Sequence, residues 1–396
     1  MTPEALDGGA AAQGLPVHGG PDALGVPLHD FSTNANACGP CPAALAAVRG
    51  ADAARYPDPA YTALREALGA WHGVAPGRIL PAASASEFIH RFTAWAARQG
   101  VVGVVVPAHA YGDYARAARA WGLPLLPWPG AEEGPEKDSG KAVLHWACEP
   151  GSPLGTPDPA LEAWRTLACH GVAAPDAGLR IVDCAYAPLR LEAAGGPLPA
   201  NAWQLWTPNK ALGLTGVRAA YAIAPACVPR HDLDALQAIA PSWPIGAHGV
   251  AMLSAWVALE VQDWLAASLG TLRAWKAAQR ALCEDMGWAV QAGSRANYFV
   301  ARPPVEDLPP WLHAMRLQGV KLRDCGSFGL PGCVRLGVLP PASQQALRAA
   351  WRGGGAGCRR MRPVAVGGAS LPLPLLPPSM PSFHPGPGAS PCVPSP

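Results

Sequence analysis

The sequence predicts an α/β chain with a mainly parallel central sheet, helices on both of its faces, and a smaller α+β domain toward the C-terminus. Three observations carry this expectation. Short apolar runs of four to six residues recur along the chain, alanine- and arginine-rich stretches of helical period separate them, and after about His248 the pattern changes to one long helical stretch followed by isolated strand and helix signals. Runs that short and apolar suit strands buried on both faces of a parallel sheet, and their alternation with helices is the signature of βαβ units.

Taken in order, Val101–Val106, Ala142–Ala147, Arg180–Cys184, Trp203–Trp206 and Ala219–Ile223 read as strands of the large sheet. Helices are expected over Ser86–Arg98, Tyr111–Trp121 and Pro157–Cys169, where apolar residues recur at helical spacing. From His248 to Met286 the same spacing continues without a break, and a strand (Tyr298–Ala301), a helix (Leu308–Gln318) and a strand (Cys333–Val338) follow. The expected division is an N-terminal segment over 1–44, a large domain over 45–245, a small domain over 246–352 and a tail over 353–396. The tail has no acidic residue from Gly353 onward and eleven prolines between Pro363 and Pro396, so it is expected to be disordered rather than helix or central strand.

Composition narrows the function. Only 15% of the 396 residues are charged and the formal net charge is +2, which argues against a disordered polyelectrolyte and against a strongly basic nucleic-acid binder. Small molecules are the expected partners. No apolar run reaches the length of a membrane span and Met1–Gly20 lacks the plan of a signal peptide, so no membrane association and a cytoplasmic location are expected. The cysteines number eleven, odd and unframed, and read as reduced thiols. Cys38-Gly39-Pro40-Cys41 has the spacing of a redox pair but lacks the preceding strand, and no second pair completes a zinc site, so it reads as a Gly-Pro turn and no metal is expected.

The chain has five lysines against 25 arginines, so a chemically placed lysine stands out. Lys210 lies in Thr207-Pro208-Asn209-Lys210-Ala211-Leu212-Gly213-Leu214-Thr215-Gly216-Val217-Arg218, directly after the strand WQLW. A lysine at the end of a buried strand is costly unless used, and desolvation lowers its pKa toward that of a Schiff-base nucleophile. The glycines admit a ligand close to the backbone, and Thr207 with Arg218 can hold a phosphate. Asp183, in Ile181-Val182-Asp183-Cys184-Ala185-Tyr186, stands at the C-terminal end of another apolar strand, where ligands bind in open α/β sheets.

Together these residues resemble the fold-type I pyridoxal-phosphate enzymes, in particular the branch of histidinol-phosphate aminotransferase and the cobalamin-pathway threonine-phosphate decarboxylase. The resemblance runs from about His18 to about Leu339 and implies the three-layer PLP-dependent transferase fold with pyridoxal 5'-phosphate as cofactor. It implies that Lys210 carries the cofactor, that Asp183 pairs with the ring nitrogen and that Tyr186 lies near the ring hydroxyl. Tyr111 would stack on the ring, while Thr207, Arg218 and the backbone N–H groups of Ala85 and Ser86 would take its phosphate, the last two from a helix N-terminus. Tyr56 matches a tyrosine that reaches the phosphate of the neighbouring subunit, which implies a homodimer with shared active sites. Arg335 matches the arginine for the substrate carboxylate and Arg323 the one for the substrate phosphate.

The chain also departs from the family. Ser152 stands where an asparagine usually contacts the ring hydroxyl, Ala82-Ala83-Ser84 replaces Gly-Asn-Gly, and His109 replaces a proline. The N-terminal His18-Gly19-Gly20 and Asp30-Phe31-Ser32-Thr33-Asn34-Ala35-Asn36 resemble the cobalamin-pathway members, in which this segment covers the site and helps bind the substrate phosphate, with His18 and Asn34 as candidates. On that ground the expected reaction is decarboxylation of L-threonine O-3-phosphate to 1-amino-2-propanol phosphate for cobalamin. Transamination of histidinol phosphate with 2-oxoglutarate is the alternative, and a non-catalytic binding protein of the same fold is a second one.

Overall fold

The structure, a computed structural model, is described over residues 18–127, 142–169 and 178–354. The expectations for the first 17 residues and for the proline-rich tail from residue 355 concern residues outside this set, as do Lys137 and Lys141. In chain order the strands are β1 (His29–Asp30), β2 (Ile79–Ala82), β3 (Val104–Val105), β4 (Leu125–Leu126), β5 (Leu144–Cys148), β6 (Leu179–Asp183), β7 (Trp203–Trp206), β8 (Ala220–Ile223), β9 (Ala289–Val290), β10 (Tyr298–Arg302), β11 (Val320–Lys321), β12 (Arg323–Asp324) and β13 (Val334–Gly337). The α-helices are α1 (Pro42–Arg49), α2 (Thr62–His72), α3 (Ala85–Arg98), α4 (Gly112–Ala120), α5 (Ala160–Cys169), α6 (Arg230–Ala238), α7 (Ala247–Trp256), α8 (Leu259–Asp285), α9 (Leu308–Leu317) and α10 (Pro341–Gly354).

Seven strands form the large sheet in the order β2-β8-β7-β6-β5-β3-β4. All neighbours are parallel except at β8, which runs antiparallel to both β2 and β7. Strands β2, β3, β5, β6 and β7 therefore end on one side, and so do the loops that follow them. Two edge strands escape the sequence signal. β2 contains Pro81 and β4 lies between Pro124 and Pro127, and a proline in a strand is tolerated at an edge because no ladder donor is needed there.

Period-two alternation explains the helices on both faces. Ile181 packs in the core formed by α3 and α4, where Phe92 meets Trp203 at 5.1 Å between ring centroids, while its neighbour Val182 packs with Leu161 and Trp164 of α5. A smaller antiparallel sheet, β12-β13-β10-β9, packs with α9 and α10 around Trp288, Trp311 and Trp351, which meet edge-on at 5.5–5.9 Å. The stretch expected as one helix from His248 onward is two, α7 and α8, bent by 73° at Val257-Ala258. Neither residue is a helix breaker, and Ala258 is extended, so the bend has no signal in sequence. Among the described residues no single helix is long and apolar enough to cross a membrane.

Candidate active site

The loops on the common side of the sheet converge on a cavity of about 460 Å³. Its lining takes Ser86 from the start of α3, Tyr111 from the loop after β3, Ser152 from that after β5, Asp183 and Tyr186 from the end of β6, and Lys210 from the loop after β7. Ligands in open α/β sheets lie at these strand ends, and the volume suits a small cofactor with its substrate.

Asp183 forms the floor. It is 4% exposed, accepts the Tyr114 hydroxyl at 2.7 Å on Oδ2 and the Ala185 N–H at 2.9 Å on Oδ1. Burial raises its pKa, while the charge of Lys210, the Tyr114 hydroxyl and the Ala185 N–H oppose the rise. A buried carboxylate so placed gains from a cationic partner on its open side. Tyr114, on α4, stacks on Trp146 with centroids 4.8 Å apart and carries no role in the sequence reading.

Lys210 is half-buried, with Nζ 4.4 Å from the centre of the Tyr186 ring. Its loop is clasped by the N-terminal polar stretch. The Asn36 N–H donates to the Lys210 carbonyl at 2.8 Å, the Asn36 side-chain amide to the Ala211 carbonyl at 3.1 Å, and the Cys41 N–H to the Leu212 carbonyl at 2.9 Å. Gly213, at φ +67°, is so close to the turn that an added Cβ would lie 2.7 Å from the Gly39 carbonyl oxygen. The Cys38–Cys41 segment is thus a turn that supports the lysine loop. Burial raises the Cys38 pKa, opposite to what a redox thiolate needs, and Cys38 and Cys41 are both free thiols.

At the opposite end, Ser84 caps α3 by accepting the Glu87 N–H at 3.1 Å, and Glu87 reaches back to the Ala83 N–H at 3.1 Å. This capping box fixes the first turn, leaving Ala85 and Ser86 at the cavity. Ser86 Oγ lies 3.1 Å from the Tyr111 hydroxyl, whose pKa burial raises. Arg218 is exposed at the rim. Thr207, expected at the phosphate, is outside the lining: its hydroxyl donates within the loop, to Asn209 Oδ1 at 3.0 Å. Tyr56 is also outside, 77% exposed and stacked on Trp243 at 4.4 Å.

The smaller antiparallel sheet supplies two buried arginines, Arg323 and Arg335, which are directly opposed in the β12–β13 ladder and so share a face. Arg335 donates to Ser152 Oγ at 3.0 Å and to the Ser32 carbonyl at 3.1 Å, and Arg323 donates to Ser327 Oγ at 2.8 Å. Asn34 is 2% exposed; its amide donates to the Tyr186 hydroxyl at 3.3 Å and its Oδ1 has no hydrogen-bond partner. His18 lies at the rim, its ring 6.3 Å from that of Tyr111, with its pKa lowered by burial and by Arg323, Arg116 and Arg218 against the opposing charge of Asp113. The segment is held there by design of its glycines: a Cβ on Gly19 would overlap the Ser32 carbonyl, Gly20 has φ +96° and donates to Ser32 Oγ at 2.9 Å, and Lys321 donates to the Gly20 carbonyl at 2.5 Å. Arg116, which lines the cavity and pairs with Asp113 at 2.7 Å, had no distinguishing signal among so many arginines. Among the described residues no cluster of three or more His, Cys, Asp or Glu could hold a metal ion.

Comparison with known proteins gives the arrangement a context. The sequence profile for Aminotransferase class I and II matches residues 27–352. The histidinol-phosphate aminotransferase of Rhodospirillum rubrum is 30% identical over 337 residues, covering 80% of this chain and 87% of the relative. The structure of histidinol-phosphate aminotransferase from Sinorhizobium meliloti in complex with pyridoxal-5'-phosphate superposes with a TM-score of 0.70 at 22% identity, over 89% of this chain and 98% of that one. L-threonine-O-3-phosphate decarboxylase from Porphyromonas gingivalis superposes at 0.61 with 20% identity, over 78% and 91%. At those identities the likeness of structure bears on the fold.

Proposed function

The chain belongs to the class I and II aminotransferase family, and from that membership we propose that it is a pyridoxal-phosphate enzyme that transaminates a small phosphorylated amine, histidinol phosphate being the first candidate. This reading reverses the order of the sequence expectation, because the R. rubrum relative is named for transamination. The observation that carries it is the placement of Lys210 Nζ over Tyr186 beside the buried Asp183.

The donor set fits the cofactor. A buried carboxylate on the floor suits a protonated ring nitrogen, the aromatic Tyr111 a ring face, the amine of Lys210 an aldehyde, and Arg218 with the α3 N-terminus a phosphate. Bound there, pyridoxal phosphate supplies an electron-withdrawing ring that accepts the electron pair left at the substrate α-carbon. Asp183 would hold the proton on the ring nitrogen, and the Tyr114 hydroxyl favours its charged form. Lys210 Nζ holds the cofactor between turnovers and moves the proton at the substrate α-carbon during them. Tyr186 and Asn34 share a hydrogen bond at the side of the cavity where the ring hydroxyl would lie. Arg335 takes a carboxylate, with Ser152 held against it, and Arg323 an anionic far end of the substrate. The same reading makes the protein a cytoplasmic homodimer in which the exposed Tyr56 completes the partner's phosphate site.

A second reading, decarboxylation of L-threonine O-3-phosphate for cobalamin, is favoured by the anchored His18-Gly19-Gly20 segment at the rim beside Arg323. The grip of Arg335 and Arg323 on the substrate's anionic groups would orient its α-carbon and so select the bond that is broken. Incubation of the purified protein with histidinol phosphate and 2-oxoglutarate is expected to yield glutamate. Carbon dioxide release from threonine phosphate without a keto acid, with no glutamate in the first assay, would replace the first reading by the second.

A further inference from the structure

A second cavity, about 270 Å³, shares no lining residue with the first. Its walls are about half apolar, with Pro81, Pro241 and Trp243, and two guanidinium groups reach it, Arg65 from α2 and Arg91 from α3. Arg65 is half-buried and makes no ion pair or side-chain hydrogen bond among the described residues, and its Nε is buried without a partner. The nearby Asp58 favours its charge from a distance but forms no ion pair with it, and its two oxygens accept the Ala60 N–H at 2.9 Å and the Thr62 N–H at 2.7 Å.

Arg91 is 6% exposed. Its Nη2 donates to the Pro81 carbonyl at 2.9 Å, and its Nε lies 3.0 Å from Glu87 Oε1. Glu87 is the same residue that accepts the Ala83 N–H and whose own N–H is capped by Ser84, so it stands between this cavity and the start of α3. Burial and the charge of Arg65 both work against the ionised Arg91, and Glu87 alone supports it. The buried Arg91 has Glu87 as its carboxylate, whereas the half-buried Arg65 beside it makes no ion pair among the described residues and has a buried Nε without a partner. A buried unpaired charge is costly, and a bound oxyanion removes that cost through charge-assisted, bidentate hydrogen bonds.

We propose that the Arg65–Arg91 cavity binds a small organic oxyanion, a carboxylate or phosphate carried on an apolar body, and that this binding is coupled through Glu87 to the N-terminal turn of α3. The anion competes with Glu87 for the charge of Arg91. Glu87 then loosens its hold on the Ala83 N–H, and the turn that presents Ala85 and Ser86 loses its fixed geometry. The site stands on its own geometry; the coupling rests on the reading that this turn holds the cofactor phosphate.

The test uses the full chain, with phenyl phosphate, benzoate and inorganic phosphate as probes in titration calorimetry. Saturable binding is expected, tighter for the two ring compounds than for inorganic phosphate, weakened about ten-fold or more by Arg65→Met, retained in large part by Arg65→Lys, and unaffected by Arg323→Met in the other cavity. Circular dichroism checks that each variant is folded. In a second arm, pyridoxal-phosphate affinity is measured with and without benzoate, and linkage predicts a loss of about five-fold or more in the wild type that Arg65→Met abolishes. Absence of saturable binding, binding unchanged by Arg65→Met, or binding abolished by Arg323→Met overturns the site. Cofactor affinity indifferent to benzoate overturns the coupling. Arg65-dependent anion binding in a protein that takes up no pyridoxal phosphate keeps the site and removes the cofactor reading.

Discussion

The Tyr114 hydroxyl and Asp183 Oδ2 form a 2.7 Å hydrogen bond between two groups that are both buried. The bond favours the ionised carboxylate over the neutral acid. Tyr114→Phe leaves a buried acceptor unsatisfied and is expected to lower stability by about 1–3 kcal/mol. It is also expected to weaken cofactor binding, because Asp183 becomes harder to ionise. Denaturant titration and cofactor titration of the same variant check the two effects together.

The pH dependence of Asp183 has a definite sign. Its folded pKa is raised, chiefly by burial. As pH rises from the ordinary carboxylate range toward that raised value, the unfolded chain has released the proton while the folded chain keeps it, so the cofactor-free protein loses stability from this group. Asn carries no such dependence. Cofactor-free Asp183→Asn should therefore gain on the wild type as pH rises above the ordinary carboxylate range, whereas its activity with cofactor falls by about 10²–10³-fold. A stability gap independent of pH would contradict the stated environment of Asp183.

Gly213→Ala tests the seat of the lysine loop. The backbone is at φ +67° and the new Cβ would meet the Gly39 carbonyl and the Pro40 Cα. Strain and overlap together are expected to cost about 1–3 kcal/mol and to misplace Lys210. Thermal denaturation reads the first effect and cofactor uptake the second. Gly216→Ala, at a position where no protein atom lies within 4 Å of the added Cβ, serves as the control for stability and should leave the thermal midpoint nearly unchanged.

Much of this architecture is legible in the sequence because buried parallel strands are continuous apolar runs, and β7 and β8 stand close to where the runs WQLW and AAYAI lie. The edges are not legible, since β2 and β4 are short and bounded or interrupted by proline. Nor is the bend between α7 and α8, which no Gly or Pro marks. In the site, Lys210, Asp183, Tyr186 and Tyr111 are brought together as their strand-end positions suggest. Thr207 is not, because a hydroxyl beside a carbonyl and an amide oxygen satisfies itself within the loop. Tyr114 and Asn36 were missed because their roles lie in long-range hydrogen bonds, to Asp183 and to the Lys210 loop, that no local pattern reveals.

Arg335 separates geometry from charge. It donates through two nitrogens, to Ser152 Oγ and to the Ser32 carbonyl. Lysine keeps the charge and loses the planar fork. Arg335→Lys is expected to raise KM for a carboxylate-bearing substrate about ten-fold or more while the protein remains folded and retains its cofactor. His18→Ala, at the rim, should leave cofactor binding intact and raise KM for the phosphorylated substrate in steady-state assays.

The central claim is that Lys210 carries the cofactor. Pyridoxal phosphate is added to the purified protein, the complex is reduced with borohydride, and the digested peptides are weighed by mass spectrometry. The reduced cofactor is expected on the peptide containing Lys210, accompanied by bleaching of the visible absorbance, and absent from Lys210→Ala. Attachment at Lys276 or Lys321 instead, or no attachment at saturating cofactor, would contradict the account and leave a binding protein of the same fold in its place.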